Sequence, residues 1–132
     1  MSKVLGAGAA AVACVALAGS PASAGTNTAH ARSMGHHGCS FNSEGWFVAD
    51  GDTLYIKDTC AEGDDAMLKV DVAPMKSEEW NYDHLIRNSG GKGSTKVENG
   101  FNFPEGKKIC ISVGSAKGRE MGGFGPWKCG TT

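Results

Sequence analysis

The chain predicts an all-β domain, a small antiparallel β-sandwich or partly open barrel stapled by two disulfides. Three observations carry that reading. About six short segments rich in β-branched and aromatic residues recur at spacings near ten residues. Gly, Pro, Asn or Asp clusters separate them. Four well-spaced cysteines follow an export signal.

Residues 1–24 read as that signal. Lys3 supplies the positive end, Val4–Ala18 is a run of small apolar residues, and Ala22-Ser23-Ala24 offers the small-x-small pattern for cleavage after Ala24. The run is shorter than the roughly 20 apolar residues of a permanent span, so no stable membrane anchor is expected. Cys14 leaves with the signal. Of 132 residues, removing 24 leaves 108, enough for one domain with one core. Residues 25–38 (GTNTAHARSMGHHG) are small and polar without periodicity and predict a flexible leader, with a single β domain over 39–132. His30, His36 and His37 fall in that leader, where nothing in the sequence fixes a metal-binding geometry, so no metal is assigned.

Within the domain, Gly45–Cys60 (GWFVADGDTLYIKDTC) is the strongest local signal. Trp46-Phe47-Val48 and Thr53–Asp58 suit paired strands, and Asp50-Gly51 marks a type I′ hairpin turn. Ala66–Ala73 alternates, with Ala66, Leu68, Val70 and Val72 on one face and Met67, Lys69 and Asp71 on a face expected to be wet. Pro74 ends it. Ser77–Arg87 is read as a strand carrying Trp80, Tyr82, His84 and Ile86 on one face. Asn88–Thr95 is a Gly-rich loop without phosphate-loop spacing. Lys96–Phe103 and Lys107–Ser115 are further strands, the latter with Ile109, Ile111 and Val113 inward. Ala116–Gly125 is loose, and Pro126–Cys129 returns the terminus to the body.

Four cysteines allow three pairings. Cys39–Cys60 and Cys110–Cys129 are preferred because each closes a short local loop. Spacings of about 20, 50 and 20 residues disfavour zinc, whose ligands come in close pairs.

Charge and motifs narrow the function. Without Lys3, the 13 basic residues become 12 against 14 acidic, with no basic run, which argues against a nucleic-acid partner. No G-x-S-x-G motif is present, and His84 is the one histidine expected in the ordered body, as a half-buried sheet residue. Asp50, Asp52, Asp58, Glu62, Asp64 and Asp65 read as turn formers, though loops of this kind could also hold Ca²⁺ or a hydrolytic carboxylate pair. No catalytic residue and no cofactor is assigned. The aromatic residues point elsewhere: Trp80 with Tyr82, and Phe124 with Trp127, are the rings expected to stay partly exposed and to anchor a partner.

Leu54-Tyr55-Ile56-Lys57-Asp58-Thr59, Ala61-Glu62-Gly63, Cys110, Trp127 and Gly130-Thr131-Thr132 resemble small exported single-domain β proteins of filamentous actinobacteria, most without an assigned activity. Local cysteine pairing is similar to that of tendamistat-type α-amylase inhibitors, but this chain is longer and has no Trp-Arg-Tyr triplet, so no functional residue carries over. The expectation is a secreted, non-enzymatic binding protein for an extracellular protein or polysaccharide. The alternatives are an inhibitor of a secreted hydrolase and a small hydrolase using loop carboxylates.

Overall fold

The computed structural model of the protein describes residues 24–76 and 81–132; residues 1–23 of the expected signal, and Ser77 to Trp80, lie outside them. Nine strands and no helix occur among the described residues: β1 (Ala31–Arg32), β2 (Ser43–Val48), β3 (Thr53–Asp58), β4 (Asp65–Val72), β5 (His84–Asn88), β6 (Thr95–Glu98), β7 (Lys108–Lys117), β8 (Glu120–Gly122) and β9 (Lys128–Thr131). They form two antiparallel sheets. The first has order β1-β2-β3-β6; the second has order β5-β4-β7-β8, with β9 also pairing β7. The result is an all-β two-sheet fold held by the disulfides Cys39–Cys60 and Cys110–Cys129.

The core lies between the sheets. Phe47, Leu54 and Ile56 from the first pack with Leu68, Val70, Ile109, Ile111 and Val113 from the second, all at most 1% exposed. Each such side chain contributes roughly 1.5–3 kcal/mol by leaving water. Period-two alternation along β2, β3 and β7 selects these residues.

The hairpin pairs Val48 with Thr53 and Trp46 with Tyr55. Its loop is Ala49 to Asp52, with Asp50-Gly51 at its centre as expected, but the positive φ values fall on Gly51 (81°) and Asp52 (48°) and not on Asp50 and Gly51, so the turn is not type I′. Asp52 is drawn inward because its Oδ2 accepts the Phe103 N–H at 2.8 Å, which seats Phe103 on the core.

Four other expectations are corrected. Residues 25–38 are built into both sheets rather than standing off them: Thr26 bridges Thr131 of β9 in the second sheet, Ala31 pairs with Gly45 in the first, and Ala31 is fully buried. Thr28 Oγ1 accepts from Phe47 N, and Ser33 Oγ accepts from Asn42 N and Ser43 N. Short hydroxyl side chains hold this segment by backbone groups, which leaves no apolar periodicity to read. In the segment expected as a strand from Ser77, β5 begins at His84 after Tyr82, and Ser77 to Trp80 lie outside the described residues; Lys96–Phe103 is a strand only to Glu98. The face of β4 expected to be wet is covered: Met67, Lys69 and Asp71 are 2%, 1% and 5% exposed.

Candidate functional site: a cavity on the covered face of the second sheet

What covers that face is the chain after β8. Gly125 N donates to Val113 O at 2.9 Å, and Ser112 Oγ donates to Gly125 O at 2.8 Å. These bonds lay Phe124 across Gly114, where a Cβ would meet the ring carbons at 2.8 Å. Gly114 is therefore needed for close approach, not for an unusual φ. Phe124 in turn caps Lys69, whose Nζ lies 3.7 Å from the ring centroid and 5.4 Å from that of Tyr82. A buried ammonium facing two π-clouds recovers part of its lost hydration.

Beside Phe124 lies a cavity of about 560 Å³, lined by Met34, Met75, Phe124, Pro126 and Trp127, with Asp71, Lys76, Asn81 and Cys110 supplying its polar and disulfide edges. Met34 is 63% exposed at this site. Asp71 is held by Lys76, whose backbone N donates at 3.0 Å and whose Nζ donates at 3.1 Å. The same Nζ reaches Asp83 at 2.6 Å. Burial works against the Asp83 charge, yet the Lys76 ammonium and the Val72 N–H outweigh it and hold this carboxyl below its usual range. Lys76 is pushed up by Asp83 and then by Asp71.

Phe124 and Trp127 thus share one cavity wall, and Tyr82 joins them through Lys69. Trp80 lies outside the described residues. The sequence reading missed Asp71, Lys76, Met34 and Met75, which stand up to 93 positions from Trp127 and carry no common spacing.

A second aromatic feature marks the first sheet. His30, Trp46 and Tyr55 stack across its outer face with centroid spacings of 4.5 and 4.9 Å and interplanar angles of 3° and 7°. These spacings match the strand separation, so both faces of Trp46 and one face each of His30 and Tyr55 are spent on one another. A sugar-stacking platform needs the faces free.

Among the described residues, His36, Ser115 and Asp64 meet without the geometry of a catalytic relay. His36 Nε2 lies 3.2 Å from Ser115 Oγ and 3.7 Å from Asp64 Oδ2, so a serine, a histidine and an aspartate meet where the sequence showed no motif. Both partners address the same ring nitrogen. In a working triad the carboxylate orients the far nitrogen and leaves the near one free to take the serine proton. Here Nε2 also receives the Asn42 amide at 2.9 Å, and the far nitrogen, Nδ1, faces that same amide at 3.2 Å and not a carboxylate. His84 is half-buried against Phe101 and Phe103, with centroids at 4.8 and 5.9 Å. Asp58, 2% exposed, has its carboxyl pushed up by burial, against the Cys60 N–H bond, with Asp65 and Asp64 adding repulsion.

Among known proteins, no family model, no curated protein and no solved structure matches the chain.

Proposed function

We propose that the protein is a secreted, non-enzymatic binding module that receives an apolar side chain of an extracellular protein in the cavity beside Phe124 and Trp127. The observation that carries this reading is the convergence of Phe124, Trp127, Met34, Met75 and Pro126 on one cavity of about 560 Å³, a volume in the range of ligand sites. Thioether and aromatic walls with few polar groups suit an aliphatic or aromatic anchor better than a sugar, which needs a dense set of hydrogen-bond partners and an open ring face. In the His30, Trp46 and Tyr55 stack both faces of the indole, the largest ring, are taken up by its neighbours. Two disulfides fit an oxidising extracellular setting, and no helix among the described residues is long and apolar enough to cross a membrane.

The test is capture from the producer's culture fluid by the wild-type protein and by Met34→Lys and Trp127→Ala, followed by reconstitution with each purified candidate. A stoichiometric protein complex lost in both variants is expected. Binding that survives both substitutions, or a polysaccharide as the sole partner, overturns the proposal. If the partner is a hydrolase that loses turnover in the complex, the reading narrows to inhibition.

A further inference from the structure

The Cys39–Cys60 bridge has a neighbour that a simple staple does not need. A Glu62 carboxylate oxygen and the two sulfurs all lie within 4.8 Å of one another, the one such group of three His, Cys, Asp or Glu donors among the described residues. Glu62 Oε2 is buried and accepts no hydrogen bond, the one side-chain oxygen or nitrogen among the described residues in that position. A buried acceptor without a partner costs on the order of 1–3 kcal/mol, more when charged. The nearby carboxylates are provided for: Asp65 by Arg87 and Ser89, Asp58 by the Cys60 N–H, Asp64 by His36.

We propose that Cys39, Cys60 and Glu62 form, when the bridge is reduced, a binding site for a thiophilic divalent cation of the Zn²⁺ type. Reduction by two equivalents of a low-molecular-weight thiol breaks the S–S bond, yields two cysteine thiols and leaves the reductant as its own disulfide. The cation then takes both sulfurs as thiolates, and the two thiol protons pass to solvent. The Cα atoms of Cys39 and Cys60 stand 6.1 Å apart. Two sulfurs bound at about 2.3 Å to a tetrahedral ion separate to nearly 4 Å, a change that side-chain rotation can supply at this Cα spacing. Glu62 contributes the third donor through a carboxylate oxygen. Water completes the coordination. The same loop closure, from the 36–42 segment to the end of β3, then persists in either redox state, first as a covalent bond and then as a chelate.

The Cys110–Cys129 pair is the internal contrast. Its Cα atoms are only 4.1 Å apart in directly opposed positions on β7 and β9, and among the described residues no carboxylate or imidazole completes a group of three there.

The experiment reduces the full protein with a phosphine under anaerobic conditions, removes the reductant, and titrates Co²⁺ as a spectroscopic stand-in, with far-ultraviolet circular dichroism recorded in parallel. One equivalent should bind with a thiolate-to-cobalt charge-transfer band and tetrahedral ligand-field bands, and Zn²⁺ should displace it. Glu62→Gln should weaken binding by at least about tenfold. The double variant Cys39→Ser/Cys60→Ser should abolish the band, whereas Cys110→Ser/Cys129→Ser should keep it. An unchanged affinity in Glu62→Gln, or a band that survives loss of Cys39 and Cys60, overturns the proposal. Absence of the band overturns it whether or not the reduced chain is folded, since a structural site of this kind can fold on its metal.

Discussion

Lys69 and Phe124 meet ammonium to ring face at 3.7 Å, with Lys69 only 1% exposed. The contact couples three strands' worth of sequence: Lys69 comes from β4, Gly114 below the ring from β7, and Phe124 from the segment after β8. Removing the ring leaves a void over Gly114 and takes away the nearer of the two rings that face the cation. Phe124→Ala should lower stability by about 2–3 kcal/mol in denaturant unfolding, near the lower end for a large aromatic deletion because the ring is only half-buried. Gly114→Ala should cost about 1–3 kcal/mol, since its Cβ would stand 2.8 Å from the ring carbons. Part of that cost comes from the Gly122 carbonyl at 2.7 Å, so the double variant should recover some of the loss and not all of it.

The disulfides close loops of 21 and 19 residues in sequence separation. Chain-entropy reasoning assigns each about 3 kcal/mol. Replacing both cysteines of either pair by Ser should therefore lower the unfolding free energy by about that amount. A loss below about 1 kcal/mol for either pair would show that its loop is already restricted in the unfolded chain.

Sequence legibility followed the range of the forces involved. The Trp46/Tyr55 pairing and the inward set Ile109, Ile111 and Val113 could be read because alternation and turn chemistry act over a few residues. The disulfide pairing was legible because both loops are local. The role of residues 25–38 was hidden, because the Thr26, Thr28 and Ser33 hydroxyls hold their place by hydrogen bonds from backbone N–H groups 9 to 105 positions away. The alternation of Met67, Lys69 and Asp71 told which face they share, not that Phe124 would lie over it. Of the cavity, Phe124 and Trp127 were legible as aromatics among glycines; Met34, Met75, Asp71 and Lys76 have no local pattern to betray them.

Acid should separate two carboxylates of opposite sign. Asp83 is held below its ordinary value of 3.8, so it contributes stability above that pH and loses it as the pH falls through the lowered value. Asp58 is pushed above 3.8, so its ionisation costs the folded state at neutral pH, and that cost disappears once both states are protonated. Asp58→Asn keeps Oδ1 to accept the Cys60 N–H and removes the repulsion from Asp64 and Asp65. It should unfold at a higher temperature than wild type at neutral pH, with the gap closing below the ordinary carboxylate range. Asp83→Asn should do the reverse, less stable at neutral pH and converging on wild type in acid. Thermal midpoints across that range decide both. A gap that stays constant with pH in either variant would mean the effect is steric and not a matter of charge.

Asp52 joins the hairpin turn to the core by two properties that substitution can separate. Its φ of 48° lies in the left-handed region, where Asn and Asp are the better tolerated non-glycine residues, and its Oδ2 accepts the Phe103 N–H at 2.8 Å in a buried setting. Asp52→Asn keeps the tolerance and an acceptor oxygen, and should cost less than about 1 kcal/mol. Asp52→Gly relieves the backbone but leaves the Phe103 N–H without its partner, at about 1–2 kcal/mol. Asp52→Ala loses both, and should cost about 2–3 kcal/mol. The order Asn, Gly, Ala in denaturant midpoints is the expected outcome. If Gly matched Asn, the hydrogen bond would be replaceable by water and Phe103 would owe its place to packing alone; if Gly matched Ala, the turn would carry no strain at this position.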